Sequence, residues 1–333
     1  MNSPCPKNIV EKVTEVGSLP QTLAAVLKVI NNPNSAADEI ADTISRDVSL
    51  TTRVLRMVNS AQFGRKRKVT KVSEAVIIMG INSIKVLTLS SSVFGMVTDG
   101  EFFKKCNIKR IWRHLIETAS NARAIAEEIG YKEPEEAFVA GIIHDLGIIL
   151  MLLYYREEYL EVVPKMGTDK EGIESAERSI FGLTHGEVGS AMTSAWKLPS
   201  NLTFVVENHH KLAADIIAEE SALNNIVALA DRLTIGPFEN YAPDIEKNIE
   251  FVQSACGALK LSSEAVNRIR KESILESIKL AEYLDLDIGD ILDILTEANE
   301  KLAELYFSLE KIYVEKRNLQ KRFRETATEP VHH

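Results

Sequence analysis

Seven side chains in this sequence are candidates to bind metal ions together: His114, His144, Asp145, His185, His209, His210 and Asp231. His144 and Asp145 interrupt an otherwise aliphatic and aromatic run, AFVAGIIHDLGIILMLLYY, from Ala137 to Tyr155. A carboxylate buried in such a run is costly unless it is paired. Asp145 therefore needs a hydrogen-bonding partner or a metal ion. Five of the seven histidines fall between positions 114 and 210, and the other two, His332 and His333, end the chain and read as a cloning remnant. A lone histidine at a helix border is more often a hydrogen-bonded core residue than a ligand. Five of them in one window, with two acids in apolar company, point instead to imidazoles and carboxylates converging from several helices on one or two ions. The mixed nitrogen and oxygen set suits iron, manganese, zinc or nickel rather than calcium or magnesium. Adjacent His209 and His210 project about 100° apart on an ideal helix, so both serve one centre only if the helix ends or bends there.

The elements that must position these residues read as helices. Leu19, Leu23, Val26, Leu27 and Ile30 recur at helical spacing until Asn31, Asn32 and Pro33 stop them. Ser35 with Asp38 resembles a capping signal for a second helix with Ile40, Ile44 and Val48 on its inner face. A third carries Leu50, Val54, Leu55 and Val58 and ends at Gly64, before the basic turn Arg65 to Lys68. Val72, Ala75, Val76 and Met79 continue the pattern, followed after Gly80 by Ile84, Leu87 and Leu89. Over 107–130, Ile111, Leu115, Ala119, Ala122, Ala126 and Ile129 share a face, with His114 at its border and Gly130 as a C-cap. Pro134, Glu135 and Glu136 then start a helix that carries His144 and Asp145. Short helices are expected over 173–181 and 185–196, broken at Gly182, then one carrying His209 and His210, then one from Ala222 to Leu233 containing Asp231. No stretch alternates with period two for long enough to make a strand, so the fold class is all-α.

From Ile291 onward a heptad takes over. Leu295, Leu302, Leu309, Lys316 and Phe323 recur at sevens, as do Ile291, Ala298, Leu305, Ile312 and Leu319. This spacing suits a coiled coil, with a long helix packed on its own domain as the alternative. The expected organisation is an N-terminal helical subdomain over 1–100 packed on a helical core over 101–285, a long C-terminal helix over 288–325 suited to homodimerisation, and a tail over 326–333.

A net charge of -9 argues against general nucleic-acid binding. The basic turn and the basic end of the last helix, Lys311 to Arg324, read as solvated surface, with contact to an anion such as a nucleotide as the alternative. Trp112 and Trp196 read as packing residues. Three well-separated cysteines without CxxC spacing indicate neither a disulfide framework nor a zinc knuckle. No basic leader with an apolar core opens the chain, so a cytoplasmic location is the expectation. The His-Asp run barely meets bilayer length and is charged at its centre, which reads as a buried helix rather than a membrane span.

The order His114, His144-Asp145, Asp231 resembles the HD superfamily of metal-dependent phosphohydrolases, an all-helical fold. More closely, LPQTLAAVLKVINNPNSAADEIADTISRDVSLTTRVLRMVNSAQFG and EAVIIMGINSIKVLTL look like the N-terminal half of the HDOD family, the HD-related output domains. FVAGIIHDLG, HGEVGSAMTSAWKLP and ENHH look like its C-terminal half, so the resemblance covers 18–213. It implies a regulatory or scaffolding module of bacterial signalling that acts through contacts with other signalling proteins. His185, His209 and His210 also match additional ligands of the related HD-GYP cyclic-dinucleotide phosphodiesterases. That likeness implies a metal-dependent phosphohydrolase as the alternative function, with Asp145 as the best candidate for the reaction. Three departures weaken it. Ile148 stands where those enzymes place a lysine, Arg110 stands where they place a glutamate, and no GYP loop follows His210.

Overall fold

The computed structural model describes residues 8–12, 21–30, 35–59, 67–95, 107–168, 172–212, 219–238, 245–284 and 286–290, with single positions 292, 294, 296 and 317. Among these the regular structure is helical, without a strand. The N-terminal part comprises α1 (Gln21–Ile30), α2 (Ala37–Ser45), α3 (Val48–Val58) and α4 (Val72–Gly95). Gly80 breaks α4 with φ 79° and ψ 161°, a conformation that glycine alone adopts at little cost. Asn59 closes the turn after α3: its amide nitrogen donates to the Leu55 and Val69 carbonyls, and its Oδ1 accepts from the Val69 amide at 2.7 Å.

Three local expectations are corrected here. The N-cap of α2 is Ala36, with no side-chain cap, so Ser35 does not play that part. Val48 does not face inward but is 81% exposed. It opens α3 behind the N-cap Asp47, whose carboxylate accepts from the Leu50 amide at 2.9 Å and starts a new helix where the second was expected to continue. The third helix ends at Val58, before the predicted stop at Gly64.

The core follows with α5 (Ile108–Glu128), α6 (Pro134–Ile143), α7 (Leu146–Tyr154), α8 (Arg156–Leu160), α9 (Val162–Thr168), α10 (Ile173–Phe181), α11 (His185–Ala195), α12 (Ser200–Asn208), α13 (Glu219–Arg232), α14 (Ile245–Leu259) and α15 (Ser263–Leu284). Helix α5 is the axis: α6, α13 and α15 all pack on it. That explains why His114, expected at the border of an apolar stripe, is only 1% exposed. Helix α4 packs on α6 and α3 on α15, so one apolar core joins the N-terminal helices to the rest, with members from Ile9 to Ile294. Trp112 and Trp196 are buried in it. The Pro134–Tyr154 stretch is long and apolar enough to cross a membrane, but 89% of its apolar window is buried inside the protein. Apart from the single positions 292, 294, 296 and 317, the heptad region from Ile291 lies outside the described residues, as do Arg65 and Lys66. Arg67 of the basic turn is exposed and pairs with Glu74 at 3.4 Å.

Candidate metal centre

The sequence suggested one continuous helix through His144 and Asp145, but the chain stops being helical there. Helix α6 ends at Ile143, His144 follows as its C-cap, and Asp145, at φ -98° and ψ 22°, leads into α7. On a continuous helix the two side chains would diverge by about 100°. The break instead turns both Nε2 of His144 and Oδ2 of Asp145 to one point, 3.3 Å apart.

Two glycines let the surrounding helices approach. A Cβ on Gly141 would lie 2.6 Å from the Ala119 Cα, so only glycine lets α6 rest directly on α5 and bring His144 to His114. A Cβ on Gly147 would collide with the backbone of His185. The absence of that Cβ allows α11 to begin against α7. Helix α11 is fixed by a capping box, in which Thr184 accepts from the Glu187 amide and the Glu187 carboxylate accepts from the Thr184 amide. Gly182, in the left-handed region at φ 75°, ends α10 and sets the turn between them. Helix α12 ends at Asn208, and His209 and His210 follow in a turn, so both reach the same centre.

The structure brings all seven candidate residues together, in two groups that share Asp145. In the first group, His114 Nε2 lies 3.2 Å from His144 Nε2, 3.3 Å from Asp145 Oδ2 and 3.2 Å from Asp231 Oδ1. In the second, His185 and His209 place Nε2 3.5 and 3.3 Å from Asp145 Oδ1, and His210 Nε2 stands 3.1 Å from His185 Nε2. His210 also turns its Nδ1 to Asp231 Oδ2 at 3.8 Å. Burial is nearly complete: His144 and His185 are 0% exposed, His114 and His209 1%, and Asp145 3%. Asp231 and His210 form the edge toward solvent, at 9% and 12% side-chain exposure.

Ring orientation is fixed from behind. His144 Nδ1 donates to the Gly141 carbonyl at 2.7 Å and His209 Nδ1 to the Val206 carbonyl at 3.0 Å. His114 Nδ1 donates to the Ile235 carbonyl and the Thr234 hydroxyl oxygen, while that hydroxyl donates to the Asp231 carbonyl. His185 Nδ1 donates at 2.7 Å to the carboxylate of Glu177. With Nδ1–H spent outward, the Nε2 lone pairs of these four rings face one another and Asp145, a mutually repelling set that needs protons or cations between its members. Oδ1 of Asp145 is buried without a hydrogen bond among the described residues. An orphaned buried carboxylate oxygen between imidazoles fits a bridging metal ligand. The donor set would seat one ion among His114, His144, Asp145 and Asp231 and a second among Asp145, His185, His209 and His210.

Charge in the metal-free centre follows from the same contacts. Burial opposes protonation of His114, but the carboxylates of Asp145 and Asp231 outweigh it and raise the pKa to about 10. For His185 burial again opposes, and Glu177 leads the groups that raise it to about 9. Burial and the neighbouring histidines lower His210 well below its ordinary value. Asp145 and Asp231 resist burial because the imidazoles hold both carboxyls well below the usual range. Protons on His114 and His185 thus take the place of cations. Ion binding at pH 7 must displace them, so uptake is expected to release protons and affinity to rise with pH until His185 and His114 lose them at about 9 and about 10. Calorimetry in buffers of different ionisation enthalpy reads that release. The sign for folding is opposite: raised histidine pKa values stabilise the metal-free fold fully below about 6.5, and that contribution is lost as pH rises through 9 to 10. Metal-free protein is therefore expected to melt at a lower temperature at pH 9 than at pH 6.

The model of the HDOD domain matches residues 16–212, which is more than half of the chain. The chain belongs to the HDOD family. This HDOD protein has the fold of an HDOD domain protein of unknown function from Geobacter sulfurreducens, with a TM-score of 0.64, 23% identity, and coverage of 83% of this chain and 97% of the other. A Shewanella amazonensis protein provisionally named a phosphohydrolase matches with a TM-score of 0.63 at 22% identity, covering 83% and 97%. A Marinobacter aquaeolei protein provisionally named for signal transduction matches at 0.63 and 18%, covering 83% and 61%. At these identities the likeness is one of fold. An uncharacterized protein of Treponema pallidum is 26% identical over 208 residues, which are 62% of this chain and 39% of that relative's length.

The sequence reading passed over Glu177 and Tyr159, which lie behind His185, and Gly141 and Gly147, which set the helix spacing. A signal for Glu177 was present: with Ile173, Ala176 and Ile180 it occupies one face of α10, an acid on an apolar stripe.

Proposed function

We propose that this HDOD protein is a signalling module whose buried two-ion centre ties the HD-type helices into one arrangement, and that it acts through contacts with other signalling proteins. The observation that carries this reading is the enclosure of the centre. Five of the seven donors are 3% exposed or less. Catalytic metal sites keep a position open to water and substrate, whereas structural sites are closed. Position 148 supplies no cation: Ile148 is buried at 1% in the apolar core. Arg110, where a glutamate ligand would otherwise stand, is buried with its Nε donating to the Gly236 carbonyl at 2.9 Å. Electrostatic help for a transferring phosphoryl group is thus not provided from position 148. In this reading the ions are iron, manganese, zinc or nickel, the location is cytoplasmic, and the heptad helix mediates self-association.

The second reading, a metal-dependent phosphohydrolase, is favoured by the donor set itself. Bound ions would lower the pKa of a water and polarise a phosphoryl oxygen. In that case Asp145 would help to hold both ions, and His210 and Asp231, at the solvent edge, would meet the substrate. Manganese-loaded protein should be incubated with a cyclic dinucleotide and with bis-p-nitrophenyl phosphate. No turnover above the Asp145→Ala background is the expected result. Turnover that depends on metal and disappears in Asp145→Ala would overturn the signalling reading in favour of the enzyme. Truncation after Gly289 is expected to lower the solution mass to that of a monomer.

A further inference from the structure

We propose that Glu177 is a positioning residue that, together with Tyr159, sets the strength of the second ion position through His185. This rests on the metal reading above and concerns residues outside the donor set. Glu177 is 0% exposed in α10, eight residues before His185. One oxygen, Oε2, accepts from both the His185 amide at 2.8 Å and the His185 Nδ1–H at 2.7 Å. The other, Oε1, accepts from the Tyr159 hydroxyl at 2.6 Å. Every lone-pair direction used here is directed, and the tyrosine, itself buried between Phe181 and Phe238, prevents the carboxylate from rotating.

The contrast with the other ligands is the reason to assign more than a structural part. His144 and His209 donate to carbonyls three residues earlier in their own chain, and His114 to a carbonyl and a hydroxyl. Neutral acceptors therefore suffice to fix a ring and its tautomer. A buried carboxylate is a costlier acceptor, so its charge must be what His185 uses. A carboxylate sharing the Nδ1 proton increases electron density at Nε2 and makes that ring the stronger donor. Two divalent ions also carry more positive charge than Asp145 and Asp231 supply, and Glu177 adds a third carboxylate on the side of the second position. Capping of α11 alone would not require this charge, since the Thr184–Glu187 box already serves that helix end.

Full-length protein stripped of metal and titrated with Co²⁺, followed by its visible absorption, tests this. Wild type is expected to bind in two steps. Glu177→Gln keeps the size and one acceptor but removes the charge; it is expected to weaken one step by about 10–100-fold and shift its absorption band, leaving the other step unchanged. Tyr159→Phe should weaken the same step by less. Folded Glu177→Gln with both steps at wild-type affinity would overturn the proposal, as would equal weakening of both steps together with a fall in melting temperature. If Glu177→Gln does not fold, Tyr159→Phe decides: selective weakening supports the assignment and an unchanged isotherm overturns it. A wild type that takes up no cobalt would instead remove the metal reading itself.

Discussion

Asp145→Ala is expected to lose both ions at once and to destabilise the metal-free protein by about 3 kcal/mol. The first effect follows from position. Oδ2 of Asp145 faces His114 and His144 at 3.3 Å, and Oδ1 faces His185 and His209 at 3.5 and 3.3 Å, so one side chain completes both groups. Replacing His210, which belongs to the second group alone, should remove one ion at most. The second effect follows from burial. Removing one partner of a buried charge set costs about 3–5 kcal/mol because the remaining charges are left uncompensated. The lower end is expected here because His114 and His185 can release their protons when the carboxylate is gone. Metal analysis and urea denaturation of the stripped protein read the two effects separately, and retention of either ion would contradict the bridging role.

Gly147→Ala is expected to be as damaging, although it changes no donor. The new methyl would meet the carbonyl of His185, a backbone atom that cannot rotate away. Helix α11 would have to move, carrying His185 with it. The helix propensity gained by replacing glycine with alanine is about 0.5–1 kcal/mol, while overpacking typically costs about 1–3 kcal/mol. Against a backbone wall the cost is expected at the upper end of that range, so the clash wins and the second ion is lost with it. Gly257→Ala provides the contrast. That glycine is exposed within α14 and has nothing within 4 Å of its Cβ position, so the same substitution should stabilise by about 0.5–1 kcal/mol. Denaturation midpoints of the two variants should therefore move in opposite directions.

Much of this arrangement was legible in the residues, for identifiable reasons. The stripe from Ile111 to Ala126 predicts α5 because a buried face of a long helix repeats faithfully. Gly182 marks the α10–α11 turn because a left-handed helix end has a sequence signature, whereas the capping box at Thr184, which has one too, was passed over. The break at His144-Asp145 was not legible, since every residue from Ala137 to Leu152 is buried and such a run has no face to register. Val48 was misplaced because periodicity was carried across Asp47, where a side-chain cap restarts the helix. The grouping of seven donors could be suspected from their types, but their division into two sets sharing Asp145 depends on how α5, α7, α11, α12 and α13 pack, and packing angle is not written in spacing. The close approaches at Gly141 and Gly147 belong to the same class: a glycine within an apolar run looks like any small residue until the neighbouring backbone is seen.

The central claim, a two-ion centre bridged by Asp145, is tested most directly by elemental analysis of full-length protein purified without chelator and without an affinity tail, beside His144→Ala. Two equivalents of transition metal in the wild type and fewer in the variant are predicted. Metal-free wild type that is folded and remains so after incubation with iron, manganese, zinc or nickel would contradict the account, and would leave the buried histidines as a proton-filled network of the core.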